Sequence, residues 1–83
     1  MELTVYIKPW CPWCVDALEW FKNKGYTVKA VDVLTDSTAY AHMKKISGQS
    51  LTPTLETEDG KVLADFDVRQ LEKFLQENSI APA

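Results

Sequence analysis

The sequence predicts a small α/β protein in which helices cover both faces of a four-stranded mixed sheet. Strand-like and helix-like segments alternate in the order β-α-β-α-β-β-α, with about three helices. The chain has 83 residues, of which 46% are hydrophobic and 25% charged, the composition of an ordinary globular domain. We therefore expect one domain over residues 1–83, with residues 79–83 as a loose C-terminal tail.

The first part of the chain predicts a strand, a helix and a second strand. Residues 2–7 are β-rich and alternate between apolar and polar side chains. From 12 to 24, apolar residues recur at helical spacings of three and four, and Gly25 supplies the left-handed position that often ends a helix. Residues 26–33 are again β-rich. A right-handed β-α-β unit would place the two strands parallel.

A second helix and a hairpin follow. The helix is capped by Thr35 or Asp36 and runs to about Ile46. Residues 54–57 and 61–64 then read as two strands joined by an Asp-Gly turn, which is typical of an antiparallel hairpin.

The third helix has a clear start. Asp67 and Gln70 have the spacing of a capping box, in which each side chain bonds the other residue's backbone. One face of this helix is apolar: Val68, Leu71, Phe74 and Leu75. This face is expected to pack on the sheet.

The charge distribution excludes some classes of partner. Nine Lys+Arg stand against twelve Asp+Glu, and Lys44-Lys45 is the longest basic run, so we expect no nucleic acid partner. No long apolar stretch precedes Lys8, so we expect no signal peptide and no membrane association. The expected location is the cytoplasm, where thiols are kept reduced and disulfides are mostly transient.

The two cysteines of the chain, Cys11 and Cys14, lie in the motif Lys-Pro-Trp-Cys-Pro-Trp-Cys at residues 8–14. A strand precedes the pair and a helix follows it, so Cys11 is expected at the helix N-terminus. Backbone N–H groups and the helix dipole stabilise a thiolate there, and Lys8 could add a nearby cation. We predict that Cys11 is the nucleophile and that Cys14, one turn later, resolves its mixed disulfides.

Two other interpretations of the cysteine pair have less support. A structural disulfide across so short a loop would remove little chain entropy from the unfolded state. A zinc site needs four ligands, and only His42 and carboxylates remain to complete one. We predict no metal site.

The motifs resemble those of the thioredoxin superfamily, and the short length resembles its glutaredoxin branch. The resemblance covers residues 2–77 and rests on Cys-Pro-Trp-Cys between strand and helix and on Thr-Pro-Thr-Leu before the hairpin. It implies a thioredoxin-like fold with Pro53 as a cis-proline facing the dithiol and the Thr52 backbone offered to the substrate. Trp13 stands where glutaredoxins commonly carry Tyr, and with Trp10 it is expected to form an exposed apolar surface for partner proteins.

The resemblance also implies residues that bind glutathione. Asp67 matches the aspartate that holds the γ-glutamyl end, Lys8 could contact the glycyl carboxylate, and Gln49 stands where a polar contact is common. The Gly-Gly pair that precedes this aspartate in glutathione-binding relatives is absent from residues 63–67. The phenylalanine in that stretch resembles a Ser-Gly-Phe segment of redoxins that supply ribonucleotide reductase and are recharged by thioredoxin reductase.

The predicted function is a thiol–disulfide oxidoreductase that reduces protein or glutathione mixed disulfides through Cys11 and Cys14. We expect a monomer without a tightly bound cofactor, with disulfide-containing proteins as partners and glutathione as a possible cosubstrate. The reductant is either glutathione or thioredoxin reductase. Three alternatives stay open: a thioredoxin-reductase-fed donor for ribonucleotide reductase, an iron–sulfur-binding glutaredoxin module, which Pro12 disfavours within the family, and a redox sensor without turnover.

Overall fold

The computed structural model describes residues 2–82 and confirms the predicted order of elements. The strands and helices are, in chain order, β1 (Leu3–Ile7), α1 (Pro12–Asn23), β2 (Val28–Asp32), α2 (Ser37–Ser47), β3 (Thr54–Thr57), β4 (Val62–Ala64) and α3 (Val68–Glu77). Most boundaries lie within one or two residues of those predicted. The largest difference is at β2, which begins at Val28 because the Tyr26 N–H still bonds the Phe21 carbonyl at the end of α1, at 2.9 Å.

The four strands form one mixed sheet in the order β2-β1-β3-β4. β1 pairs parallel with β2 and antiparallel with β3, and β3 pairs antiparallel with β4. In this register Tyr6 lies opposite Val31 on one side and Thr54 on the other. The carboxyl end of β1 therefore lies beside the amino end of β3, which brings residues 8–11 close to Pro53.

The predicted coverage of both sheet faces is also confirmed. The larger core lies between the sheet and the helices α1 and α3; its buried residues are Leu3, Val5, Ala17, Phe21, Leu55, Phe66, Leu71, Leu75 and Ile80. The smaller core lies under α2 and contains Tyr6, Val33 and Met43. Alternate residues of β1 point to opposite faces, so one strand contributes to both cores.

Polar contacts fasten α2 to the sheet beside the smaller core. The Tyr6 hydroxyl donates to Glu56 Oε1 at 2.6 Å, and His42 Nε2 lies 3.1 Å from Glu56 Oε2. Burial, and then the hydrogen bond to Glu56, raise the pKa of the Tyr6 hydroxyl. The hydroxyl therefore stays protonated and keeps donating to the carboxylate.

Each helix begins at a side-chain cap. Cys11 caps α1, Asp36 caps α2 and Asp67 caps α3, each accepting a backbone N–H of the first turn. The predicted capping box of α3 is present, with Gln70 bonding back to the Asp67 N–H. The longest of these helices has 12 residues, and within residues 2–82 none is long and apolar enough to cross a membrane.

The prediction that residues 79–83 form a loose tail is wrong at Ile80. That side chain is only 7% exposed and belongs to the larger core. Its carbonyl accepts a hydrogen bond from the Tyr26 hydroxyl at 2.7 Å, and its N–H donates to Leu75 at 2.9 Å. The chain turns back after α3 because Ser79 adopts a left-handed φ of 55°. Ala83 lies outside the described residues.

Candidate redox site at the start of the first helix

The structure places both cysteines at the N-terminal end of α1, as the spacing predicts. Cys11 is the N-cap, with extended φ and ψ of −82° and 114°, and Pro12 follows at the first helical position. Cys14 lies in the first turn. Both are free thiols and almost fully buried, at 3% and 1% exposure.

The sulfur of Cys11 lies between the helix end and the loop that precedes β3. The Cys14 N–H donates to Cys11 Sγ at 3.3 Å, so one of the free N–H groups of the helix end points at this sulfur. The Cys11 thiol in turn donates to the Thr52 carbonyl at 3.6 Å. The peptide bond between Thr52 and Pro53 is cis, as the resemblance implied. Cys11 and the proline loop thus form a single site.

The two thiols differ in their surroundings. Burial, and then the hydrogen bond with Cys11, raise the pKa of the Cys14 thiol from 9.0 to about 11. At neutral pH Cys14 is therefore a neutral thiol. It must lose this proton before it can react with a disulfide, because the thiolate is the reactive form of a cysteine.

Lys8 joins the two loops that surround the site. Its Nζ donates to the Ser50 carbonyl at 3.1 Å and lies 5.4 Å from the ring centre of Tyr40 and 5.7 Å from that of Trp10. The Tyr40 hydroxyl donates to the same carbonyl at 3.1 Å. The structure thus places the Lys8 ammonium at the edge of the site, fixed to the loop that carries Thr52.

Three exposed apolar residues lie next to the cysteines in sequence or beside Thr52 in the facing loop. Trp10 is 70% exposed, Trp13 60% and Leu51 53%. The first two flank Cys11 in sequence, and Leu51 precedes Thr52, whose carbonyl contacts the Cys11 sulfur. We call these three residues the apolar rim. Sequence reasoning missed Leu51, because nothing local to residues 49–53 shows which way that side chain points.

The N-terminus of α3 lies near the proline loop. The Phe66 N–H donates to the Pro53 carbonyl at 3.4 Å, which links the turn before α3 to this loop. Asp67 Oδ1 accepts from the Gln70 N–H at 2.8 Å, and the Asp67 N–H donates to Gln70 Oε1 at 2.9 Å. The Asp67 N–H and one of its two carboxylate oxygens, Oδ1, are thus engaged within the helix cap.

The carboxamide of Gln49 is also engaged within the chain. Its nitrogen donates to Ser47 Oγ at 2.8 Å and to Thr54 Oγ1 at 3.1 Å, and its oxygen accepts from the Leu51 N–H at 2.6 Å. Within residues 2–82 no group of three or more His, Cys, Asp or Glu side chains is arranged to hold a metal ion.

Comparison with known proteins agrees with this geometry. The family model described as Glutaredoxin matches residues 3–63. A crystal structure of the thioredoxin-like protein BC3987 is 32% identical with a TM-score of 0.78, and the match covers 88% of this chain and 99% of that one. A comparison with curated proteins gives no match.

Two glutaredoxin structures show the same fold at lower identity. A glutaredoxin (grx-1) from Archaeoglobus fulgidus is 20% identical with a TM-score of 0.78, over 90% of this chain and 86% of that one. A buckwheat glutaredoxin in complex with glutathione is 16% identical with a TM-score of 0.70, over 94% and 71%. The fold is therefore thioredoxin-like, and the chain belongs to the glutaredoxin family of thiol–disulfide oxidoreductases.

Proposed function

We propose that this protein is a cytoplasmic, monomeric dithiol reductase of protein disulfides. Cys11 is the nucleophile and Cys14 the resolving thiol. One observation carries the proposal: the Cys11 sulfur accepts an N–H from the helix end while it faces the carbonyl of Thr52, the residue before the cis-proline. A thiolate and a docked substrate backbone would meet at this position.

The first step is a thiol–disulfide exchange between Cys11 and the substrate. The Cys11 thiolate attacks a sulfur of the substrate disulfide, that disulfide breaks, and a mixed disulfide forms between Cys11 and the substrate. The departing substrate sulfur leaves as a thiolate and takes up a proton from water. The Cys14 N–H and the helix end stabilise the negative charge on Cys11 before attack.

The second step closes the protein's own disulfide. Cys14 loses its proton and attacks Cys11, the mixed disulfide breaks, and the substrate leaves with both of its sulfurs reduced. Two electrons have then passed from the cysteine pair to the substrate. The resulting bond between Cys11 and Cys14 must be reduced again by an external dithiol or by two molecules of glutathione.

The exposed surface around the site supports a protein substrate. The apolar rim offers Trp and Leu side chains that a peptide could cover, and buried Trp contacts commonly dominate binding energy. Within residues 2–82 no group accepts a hydrogen bond from the Thr52 N–H. An extended substrate segment could therefore pair with the backbone of Thr52 beside the cis Pro53 while its disulfide reaches Cys11.

The engaged polar groups favour thioredoxin reductase as the electron source. The Asp67 N–H and both N–H groups of the Gln49 carboxamide already donate within the chain, so glutathione could bond these groups only through their oxygens. An electron donor for ribonucleotide reductase would fit such a reductant. In the alternative, glutathione is a cosubstrate, with Lys8 on its glycyl carboxylate, Trp13 and Thr52 along its cysteinyl part and Asp67 at its γ-glutamyl end.

Coupled NADPH oxidation tests this proposal. The oxidised protein is offered to thioredoxin reductase alone, and separately to glutathione with glutathione reductase, with a disulfide-containing protein as the final acceptor. We expect turnover with thioredoxin reductase, none for Cys11→Ser, and for Cys14→Ser a trapped mixed disulfide without turnover. Turnover by Cys11→Ser would contradict the assigned roles, and turnover with glutathione alone would favour the alternative reductant.

A further inference from the structure

The loop between α2 and β3, residues 48–53, is held by a set of side-chain hydrogen bonds centred on Gln49. We propose that Gln49 is a positioning residue that fixes the Thr52 backbone for pairing with an extended peptide substrate. The proposal rests on the proposed function. It assigns to Gln49 a role in protein substrate docking in place of contact with glutathione.

Both N–H groups and the oxygen of the Gln49 carboxamide make hydrogen bonds within the chain. Both N–H groups are occupied, one by Ser47 Oγ at 2.8 Å and one by Thr54 Oγ1 at 3.1 Å. The oxygen accepts from the Leu51 N–H at 2.6 Å. A primary amide has two donors and one carbonyl oxygen, so this side chain is saturated on the donor side.

The two hydroxyl partners of Gln49 anchor it to fixed elements. Ser47 Oγ donates to the Met43 carbonyl at 2.6 Å, inside the last turns of α2. Thr54 is fully buried at the start of β3, and its hydroxyl donates to the Leu51 carbonyl at 2.9 Å. The side chain therefore bridges the end of the helix and the start of the strand.

Both backbone groups of Leu51 are held as a result. Its N–H bonds Gln49 and its carbonyl bonds Thr54, so the peptide unit that leads into Thr52 has little freedom to rotate. On the preceding residue, the Ser50 carbonyl accepts from Lys8 and Tyr40. Thr52 is the first residue of the loop whose backbone faces the Cys11 sulfur.

The position of the Thr52 backbone matters for one kind of substrate only. A peptide that adds to this edge must align its N–H and carbonyl with those of Thr52 within hydrogen-bond range. A small disulfide without a peptide backbone needs only access to the Cys11 sulfur. Loosening the loop should therefore weaken peptide reduction and spare reduction of a small disulfide.

Single-turnover kinetics can separate these cases without any reductase. Pre-reduced protein is mixed with excess disulfide, and the rate of disulfide reduction is measured at increasing disulfide concentrations. The disulfide is either dithionitrobenzoate or a disulfide-bridged peptide that is extended around its cysteine. The variants are Gln49→Ala and Thr54→Val; Thr54→Ser keeps the hydroxyl, and Gln76→Ala removes an exposed glutamine of α3 as the matched control.

We expect Gln49→Ala and Thr54→Val to raise the half-saturating peptide concentration about tenfold, the effect of losing roughly one hydrogen bond. The limiting rate and the rate with dithionitrobenzoate should stay within about twofold of wild type, because the Cys14 N–H and the helix end, which stabilise the Cys11 thiolate, do not depend on the loop. Thr54→Ser and Gln76→Ala should behave like wild type. A merely structural role would lower the melting temperature of the variants without separating the two substrates.

Amide hydrogen exchange tests the loop itself. The Leu51 amide should be protected in wild type and exchange faster in Gln49→Ala, while amides in β1 stay protected. Unchanged peptide kinetics, an equal loss with both disulfides, or an unprotected Leu51 amide in wild type would each overturn the inference. If wild type reduced neither disulfide, the proposed function would fall and this role with it, whereas failure of the inference alone would leave wild-type turnover intact.

Discussion

The chemical difference between the two cysteines comes from their positions on one helical turn. Cys14 is buried below the helix end, and burial with the hydrogen bond to Cys11 raises its pKa to about 11. A raised pKa means that the protonated thiol is the major form at every pH below that value. Its thiolate fraction then grows about tenfold for each pH unit up to about 11.

Alkylation should report this difference directly. We expect iodoacetamide to modify Cys11 first at pH 7, and modification of Cys14 to accelerate with pH until about pH 11, as measured by mass spectrometry of peptides from short reactions. In Cys11→Ala the second cause of the raised pKa is gone, so the Cys14 profile should shift to lower pH. Equal labelling of both thiols at pH 7 would contradict this assignment.

The exposed Trp13 provides a second test at the scale of single residues. If the apolar rim docks proteins, Trp13→Ala should lower kcat/KM for a protein disulfide about tenfold, the usual effect of removing one aromatic anchor. Val15 is a matched control, since it is 53% exposed on the same helix but outside the rim. A similar loss for Val15→Ala, or an equal loss with a small disulfide, would contradict a docking role for Trp13.

The residues of the site could be predicted where their signal is local. Cys11 and Cys14 are three apart between a strand and a helix, so spacing alone places both at the helix end. The Gln49 bonds could not be predicted, because Ser47, Leu51 and Thr54 converge only when the loop takes its path between α2 and β3. From the sequence, the resemblance suggests only that Gln49 contacts glutathione.

At the scale of elements, the cap of α3 can be tested apart from the chemistry. Asp67 and Gln70 satisfy two backbone N–H groups that the helix itself cannot bond. Asp67→Ala should therefore lower the free energy of unfolding by about 1 kcal/mol in urea titration. Asp67→Asn keeps the acceptor and should lose less, and equal losses for the two variants would argue against the cap.

The boundaries of elements were less predictable than their existence. The pattern over 26–33 reads as one strand, yet β2 begins at Val28. Gly25, at a φ of 82°, turns the chain directly after α1, and the Tyr26 N–H returns to the helix. Pairing geometry, which a hydrophobic pattern does not contain, decides where the first ladder bond to β1 can form.

At the scale of the whole molecule, the site and the C-terminal segment occupy opposite ends of α1. That helix begins at Pro12, directly after Cys11, and runs for 12 residues, about 18 Å, to the region before Gly25 and Tyr26. Gly25 lies close to Pro82 there: a β-carbon placed on Gly25 would be 3.7 Å from the β-carbon of Pro82. The last described residues therefore pack against this end of α1. Nothing in the local sequence 79–82 predicts that contact, because one apolar residue in a short segment has no periodicity.

Ile80 therefore links the end of the chain to the core, and its removal should affect stability without affecting the reaction. We expect Ile80→Ala to lower the free energy of unfolding by about 2 kcal/mol and Ile80→Val by about 1, because the side chain is nearly buried among core residues. Urea unfolding measures the first effect and single-turnover reduction the second. Since Ile80 lies a helix length from Cys11, the rate for the folded variant should equal that of wild type. A slower reaction of the fully folded variant would show that packing at this end of α1 affects the redox site. An unchanged free energy of unfolding would mean that the segment after Asn78 does not pack on the core in solution.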